Sequence, residues 1–369
     1  MRIKTSTLVF IDGLFAPINR LFSSLSNMGV KRRNETKNLL VIKFFGMGSI
    51  VRMAYVLKNS DVDLTNITLI TLKKNEQIVE LLEIPVIYIR SNSILVLWDI
   101  TRAILNTWFK TNTRVIDLER SSNIAGIFRV LCSIQKPSSS FYFDNDNHVS
   151  GKHLSISLKD KSAVEVLYEA LEVKPIRNKE KTKGGVKNSV IVNVNAGEYL
   201  PERKYPITKF AEIVQILYNQ NQDLKFVLTG GINELEYVSR LERLLKKWSI
   251  PVKNQTGKQS MQDLAGEIQN GELLITNDSG PLHLANYYAT PCIVLWGPTS
   301  AKSVGYSDSE IMKNISTHEH CSPCFVHPKS AIAKECQGEI TCFVNLSPKM
   351  IAAQIGVFKS NIDKVAVYV

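Results

Sequence analysis

The residues best suited to chemistry in this 369-residue chain stand close together at Asp278, Ser279, Gly280 and His283, directly after the apolar run Leu273–Thr276. Such a run suits a buried parallel strand. Asp278 and Ser279 then offer side chains that can cap a helix, and Gly280 lets a ligand approach the backbone. Pro281 in a first helical turn costs no hydrogen bond, so the remaining N–H groups and the positive end of the helix dipole can face a phosphate or diphosphate. His283 falls in that same turn, where an imidazole can donate to a phosphate oxygen. Ile293–Trp296 read as a second strand, closed by Gly297, Pro298 and Thr299. On pattern alone, an ordinary doubly wound domain with a core histidine accounts for the same residues.

Other residues could share the work. Lys43, Gly46, Gly48 and Ser49 end the first strand in a glycine-bearing turn, which fits a tight connection or a ligand loop equally. Asp117 and Glu119 lie two apart at the end of Val115–Leu118, so strand alternation puts both carboxylates on one face. Either can serve as a proton acceptor; alternatively, Asp117 caps local backbone and Glu119 pairs with Arg120. Arg203 and Lys204 follow the strand Val190–Val194, and a guanidinium there offers bidentate contact to a pyrophosphate unless it is only a surface charge. Glu234, after Thr229-Gly230-Gly231, suits a ribose hydroxyl or a helix start. Thr256–Ser260 reads as a loop.

Metal chemistry is the rival reading. Asp61-Val-Asp63 and Asp144-Asn-Asp146 each spell an acidic triplet able to hold a divalent cation on a nucleotide diphosphate, but both lie between elements, and no metal is assigned. Cys321, Cys324, Cys336 and Cys342, with His318, His320 and His327 among them, leave zinc, disulfides and thiols open, since five residues separate the second pair, unlike an ordinary zinc ribbon. Cys132 and Cys292 read as core residues of a reduced, cytoplasmic protein. His148 and His153 lie in a polar connection without a partner.

The elements that must position these residues alternate. Leu39–Phe44, Ile67–Thr71, Val86–Ile89 and Val115–Leu118 read as strands, with helices over Ser49–Lys58 and Asn75–Leu82. Residues 172–188 are charged, carry Gly and Pro and lack an apolar period, as a linker does. A second series follows: strands Val190–Val194 and Lys225–Thr229, and helices Ile207–Asn219, Asn233–Trp248 and Met261–Gln269. The expectation is an α/β protein of GT-B type, two Rossmann-like domains facing each other across a cleft, with an extension (1–37), a first domain (38–171), the linker (172–188) and a second domain with a Cys-rich tail (189–369).

The formal net charge of +11 favours anionic partners. No finger or RNP pattern is present, so nucleic acid is not expected. Charged residues interrupt every apolar run that could span a bilayer. The segment Leu8–Phe22 with Lys31, Arg32 and Arg33 suits an anionic membrane surface, although Gly13 and Pro17 interrupt it and packing against the body is the alternative.

The Asp278–Thr299 segment resembles the signature of glycosyltransferase family nine, the ADP-heptose:lipopolysaccharide heptosyltransferases: Asp, Ser or Thr, Gly, two residues, His, then Ala, Pro and a closing Gly-Pro-Thr. The likeness covers roughly Asn38 to Ile355. It implies inverting, metal-independent transfer of a sugar, heptose from ADP-heptose, onto lipopolysaccharide or a related surface glycan, at the inner face of the bacterial inner membrane and with no cofactor. It also implies donor contacts by Arg203, Lys204, Glu234, Asp278, Ser279, Gly280 and His283, and an acceptor-side loop at Lys43–Ser49. Tyr205 replaces the family's tryptophan. Ser49 replaces the aspartate taken as the family's base, and a hydroxyl is no base at neutral pH. Glu119 is therefore the first choice for that role and Asp117 the second. Two other readings remain: a nucleotide-sugar epimerase, which needs no acceptor, and a degenerate subunit that binds donor without turnover.

Overall fold

The computed structural model describes residues 17, 38–90, 96–109, 113–119, 123–132, 138–141, 154–156, 161–176, 186–197, 200–317, 319, 321–324 and 340–367. The chain divides into two compact units, Met1–Arg177 and Asn178–Val369. That boundary falls inside the stretch 172–188. At its start, Ile176 N donates to Asn59 O at 3.0 Å and Lys174 N to the Asp61 carboxylate at 2.9 Å.

In the first unit, β1 (Asn38–Ile42), α1 (Met47–Lys58), β2 (Ile67–Leu72), α2 (Glu76–Val79), β3 (Val86–Ile89) and α3 (Val96–Phe109) are followed by β4 (Thr113–Asp117), α4 (Asn123–Cys132), β5 (Ser138–Phe141), β6 (Leu154–Ile156) and α5 (Ala163–Leu171). All six strands are parallel, in the order β3-β2-β1-β4-β5-β6. Leu40, Ile42, Ile70 and Val115 pack with Phe44 and Phe128 into the core, and β1 reads as the uninterrupted apolar run that a sheet covered on both faces demands.

The second unit repeats the plan with β7 (Val186–Asn193), α6 (Ile207–Gln220), β8 (Lys225–Leu228), α7 (Leu235–Lys247), β9 (Val252–Asn254), α8 (Met261–Asn270), β10 (Gly271–Asn277), α9 (Gly280–Tyr288), β11 (Cys292–Leu295), α10 (Ala301–Val304), β12 (Met312–Ile315), α11 (Thr341–Val344) and α12 (Pro348–Val367). Its parallel sheet runs β12-β11-β10-β7-β8-β9. Strand order therefore reverses between β1 and β4 in one unit and between β7 and β10 in the other, and such reversals leave a crevice outside the carboxyl ends of the strands.

The helix expected over Asn75–Leu82 is broken into one α-helical turn between two 3-10 turns. Tertiary bonding overrides propensity there. The Asn75 amide donates to Phe44 O at 2.9 Å and Thr71 Oγ1 at 2.8 Å, and Glu83 closes the segment at φ 51°. Among the described residues no helix is long and apolar enough to cross a membrane.

Candidate functional site at two sheet switch points

In the second unit, register pairs Thr276 on β10 with Asn193 on β7, directly at the reversal. The Asn193 amide donates to Thr276 Oγ1 and to Ser279 Oγ, each at 2.8 Å, and the two hydroxyls lie 3.0 Å apart. Ser279 precedes α9 in extended conformation and makes no side-chain bond to the helix it precedes. The expectation that Asp278 and Ser279 cap α9 is corrected here. Asn193 draws the Ser279 hydroxyl towards β7, and the Asp278 carboxylate turns to Arg203 Nη1 at 3.3 Å. The first-turn N–H groups of α9 consequently have no side-chain cap. Gly280 is exposed, and a Cβ built on it would meet nothing within 4 Å, so the helix start is open.

Arg203 ends the 3-10 turn Pro201–Arg203, and besides Asp278 its guanidinium donates to Ala196 O. Tyr205 fixes that loop in the core: its N–H reaches Asn277 Oδ1 at 3.2 Å and its hydroxyl Leu346 O at 2.6 Å. The sequence neighbour Lys204 turns elsewhere, with Nζ 4.6 Å from the centre of the Tyr237 ring. His283 is buried, and its Nδ1 lies 3.1 Å from the Tyr306 hydroxyl. Tyr306 is held in turn by Asn314, whose amide donates to Tyr306 O at 2.8 Å while its carbonyl accepts from Trp296 Nε1 at 2.7 Å.

A third group surrounds Gly230, at the end of β8. A Cβ there would fall 2.5 Å from Asn195 Nδ2, 3.1 Å from Glu234 Oε2 and 3.2 Å from Thr256 Cγ2, so only glycine lets these three side chains converge. Glu234 accepts from Gly231 N at 2.8 Å and so closes the turn into α7. Asn195 Oδ1 and Thr256 Oγ1 are buried without hydrogen-bond partners, an unusual condition for buried polar atoms. Asn193, Asn195 and Tyr306 are not among the candidate residues read from the sequence, and Thr256 enters there only as the start of a loop. Two asparagines at alternate positions where an apolar strand ends were the available signal.

In the first unit, register pairs Ile42 with Asp117 at the reversal. One oxygen of Glu119 accepts from Phe44 N at 2.5 Å and Phe45 N at 2.8 Å, and lies 3.1 Å from Lys43 Nζ. Asp117 accepts from Glu119 N at 2.8 Å. All three charged residues are buried, as is Arg129 on α4. Burial pushes the Asp117 carboxyl up to about 7, against the opposing attraction of Arg129, and burial pulls the Arg129 guanidinium down. Gly46 takes φ 81°, a left-handed conformation that favours glycine, and leads into α1, where Gly48 and Ser49 occupy the first turn, both part-exposed. The structure therefore brings Glu119 to the backbone of the very loop that carries Ser49.

Asp63 accepts from Thr65 N and Oγ1, and Asp61 from Lys174 N, so this acidic pair serves local turns. Among the described residues no group of three or more His, Cys, Asp or Glu could hold a metal ion. Cys132, Cys292 and Cys342 are buried. Asp144, Asp146, His148, His153, His318, His320, His327, Cys336, Arg120 and all of the extension except residue 17 lie outside the described residues.

Two parallel α/β units, each with a polar switch point, define the GT-B fold class, and solved structures share it. The glycosyl transferase family 9 structure from Veillonella parvula matches with TM-score 0.63 at 17% identity, covering 90% of this chain and 99% of that one. The E. coli ADP-heptose lipopolysaccharide heptosyltransferase II matches with TM-score 0.63 at 13% identity, covering 88% and 99%. The family model described as glycosyltransferase family 9 (heptosyltransferase) matches residues 140–350, and the chain belongs to that family. Among curated relatives, lipooligosaccharide heptosyltransferase 2 of Campylobacter jejuni is 25% identical over 215 residues, which is 57% of this chain and 66% of that relative's length.

Proposed function

We propose that this protein transfers heptose from ADP-heptose to the core of lipopolysaccharide, with inversion and without a metal ion. The observation that carries the donor half is the open, uncapped start of α9 flanked by Arg203 and His283. Backbone N–H groups at a helix start together with a guanidinium and an imidazole suit a departing diphosphate, because they stabilise charge that grows as the glycosidic bond breaks. These groups supply positive charge where other enzymes use a cation, which supports the metal-independent reading. The donor identity draws on the solved heptosyltransferase named for ADP-heptose and on the curated heptosyltransferase relative.

For the acceptor half, Glu119 takes the proton of the attacking hydroxyl. Its Oε1 anchors the loop through Phe44 and Phe45, and its Oε2 accepts no hydrogen bond among the described residues. A carboxylate tied to the Ser49 loop supports this role where the family's aspartate is missing. Attack of the hydroxyl oxygen on the anomeric carbon forms the new glycosidic bond while the bond to the diphosphate breaks on the opposite face, which inverts the centre. Asp117 positions Glu119 through its backbone N–H. Lys43, beside Glu119, holds the carboxylate in place, and Glu234 with Asn195 and Thr256 lines the nucleoside end. The loss of aspartate at Ser49 favours one second reading, a subunit that binds donor without turnover.

The deciding experiment gives purified protein ADP-heptose and heptose-deficient lipopolysaccharide, and follows ADP release and the anomeric configuration of the product by NMR. ADP release that requires acceptor and yields the inverted linkage supports the proposal. Donor binding without turnover selects the second reading, and turnover without acceptor sinks both.

A further inference from the structure

Among the described residues, serine immediately precedes five helices, and four of these serines cap the helix they precede. Ser162, Ser260, Ser300 and Ser347, ahead of α5, α8, α10 and α12, each accept from the backbone N–H three residues on, at 3.1, 3.1, 3.3 and 3.2 Å. In α9 that N–H belongs to Leu282, since Pro281 offers none one residue earlier, and Ser279 makes no such bond. Backbone shape is not the obstacle. Where a cap hydroxyl lies over the turn that follows is set by ψ and χ1, and ψ is 175° at Ser279 against 172° at Ser260, which does cap. A rotation about one side-chain bond would make the missing cap.

What holds the hydroxyl back is a buried chain of amides. Asn195 Nδ2 donates to Thr229 O at 3.0 Å and to Asn193 Oδ1 at 3.2 Å, which turns the Asn193 NH2 group towards Ser279 Oγ and Thr276 Oγ1, each at 2.8 Å. Thr276 donates in turn to Asn277 O at 3.0 Å, so the proton in the 3.0 Å contact between the two hydroxyls comes from Ser279. Ser279 Oγ thus accepts from Asn193 and donates to Thr276, and its single proton is committed inside the sheet. Asn193, Asn195 and Thr276 are all buried. A helix start whose only demand was stability would use its serine as the other four do.

We propose that Asn193 is a positioning residue for the donor: by holding the Ser279 hydroxyl against the end of β7, it keeps the Leu282 N–H from being capped from within and leaves it to a phosphate oxygen. An internal cap and a phosphate compete for the same N–H, so losing Asn193 turns Ser279 into a competitor of the ligand. This rests on the proposed function in one respect, that the start of α9 receives the diphosphate.

The test reads amide hydrogen exchange at Leu282 by NMR in the full chain without ligand, and ADP affinity by calorimetry in the same variants. Asn193→Leu, similar in size and lacking the NH2 group, is expected to slow exchange at Leu282 and to weaken ADP binding roughly three- to tenfold. A merely loosened strand end would give the opposite sign, because lost packing speeds exchange. Adding Ser279→Ala to Asn193→Leu should return the exchange rate to that of the parent and recover most of the lost affinity. Asn193→Ala, expected to act in the same directions, takes the place of the leucine variant if that one fails to fold. Unchanged or faster exchange at Leu282 in a folded Asn193 variant overturns the proposal, as does faster exchange in Ser279→Ala alone, which would mean that Ser279 already caps α9. Unchanged exchange with ADP affinity still dependent on Arg203 sinks this inference alone, whereas slower exchange with ADP affinity unaltered sinks the proposed diphosphate site and with it the role given to Asn193.

Discussion

At the switch point of the first sheet, Lys43, Asp117, Glu119 and Arg129 are buried within one network, while at the second Asn193, Asn195, Thr276 and Ser279 present amides and hydroxyls beside an uncapped helix. The two sheets have the same strand order, so topology does not explain the contrast. Charges taken out of water must be paired, and once paired they hold a loop rigidly. At the second, Asp278 is paired with Arg203, and neutral amides and hydroxyls order the rest of the turn without adding net charge. On the proposed function, one reversal sets a proton acceptor and the other receives a diphosphate.

Substitutions can break that division of labour. The largest effect is expected at Glu119→Gln, which keeps the Oε1 acceptor for Phe44 and Phe45 but removes the basic carboxylate: kcat should fall by roughly 10²–10⁴ while the dissociation constant for ADP-heptose, measured by calorimetry, changes less than about twofold. Glu119→Ala should add loss of loop order and unfold at lower temperature. Next come the donor-side variants. Arg203→Ala and His283→Ala should each weaken ADP binding by roughly 10–100-fold through loss of charge-assisted bonds, with little change in the stability of the first unit. Equal losses of donor affinity across Glu119, Arg203 and His283 would erase the contrast between the two switch points.

A pH titration sharpens the comparison further. Burial raises the Asp117 carboxyl from 3.8 to about 7, so the folded state holds this proton more tightly than the unfolded chain does. Its stabilising contribution is complete below about 4 and is lost as pH rises through about 7. Urea midpoints of the parent should therefore decline across that window, and Asp117→Asn should flatten the decline; an unchanged slope in the variant would show that Asp117 does not titrate there. The smallest effect belongs to Tyr306→Phe, which removes only the hydroxyl at His283 Nδ1. Donor affinity, read by calorimetry, should drop by no more than about tenfold.

Much of this architecture was legible in the sequence because parallel strands covered on both faces are written as apolar runs: Leu39–Phe44, Val190–Val194 and Leu273–Thr276 correspond to β1, β7 and β10. The legibility failed where side chains compete. Ser138-Ser-Ser-Phe141 carries no apolar run, yet pairs with β4 through Val115↔Ser138. Asn75 reads as the start of a longer helix until its amide is seen bonded to Phe44 and Thr71. At the site, Asp278, Gly280 and His283 stood out by type and spacing, but the diversion of Ser279 to Asn193 joins residues 86 apart in the chain and has no local signature. Glu119 was visible as a carboxylate at a strand end; that it would grip the Ser49 loop depended on a contact 75 residues distant.

The bare start of α9 also bears on how a catalytic cycle ends. On the proposed function, groups at that turn address phosphate oxygens and make no distinction between a nucleotide still bearing its sugar and one that has given it up. Spent ADP would grip the enzyme about as firmly as fresh substrate, so its escape, rather than bond making, would pace the steady state, and accumulated ADP would act as a competitive brake on the supply of donor.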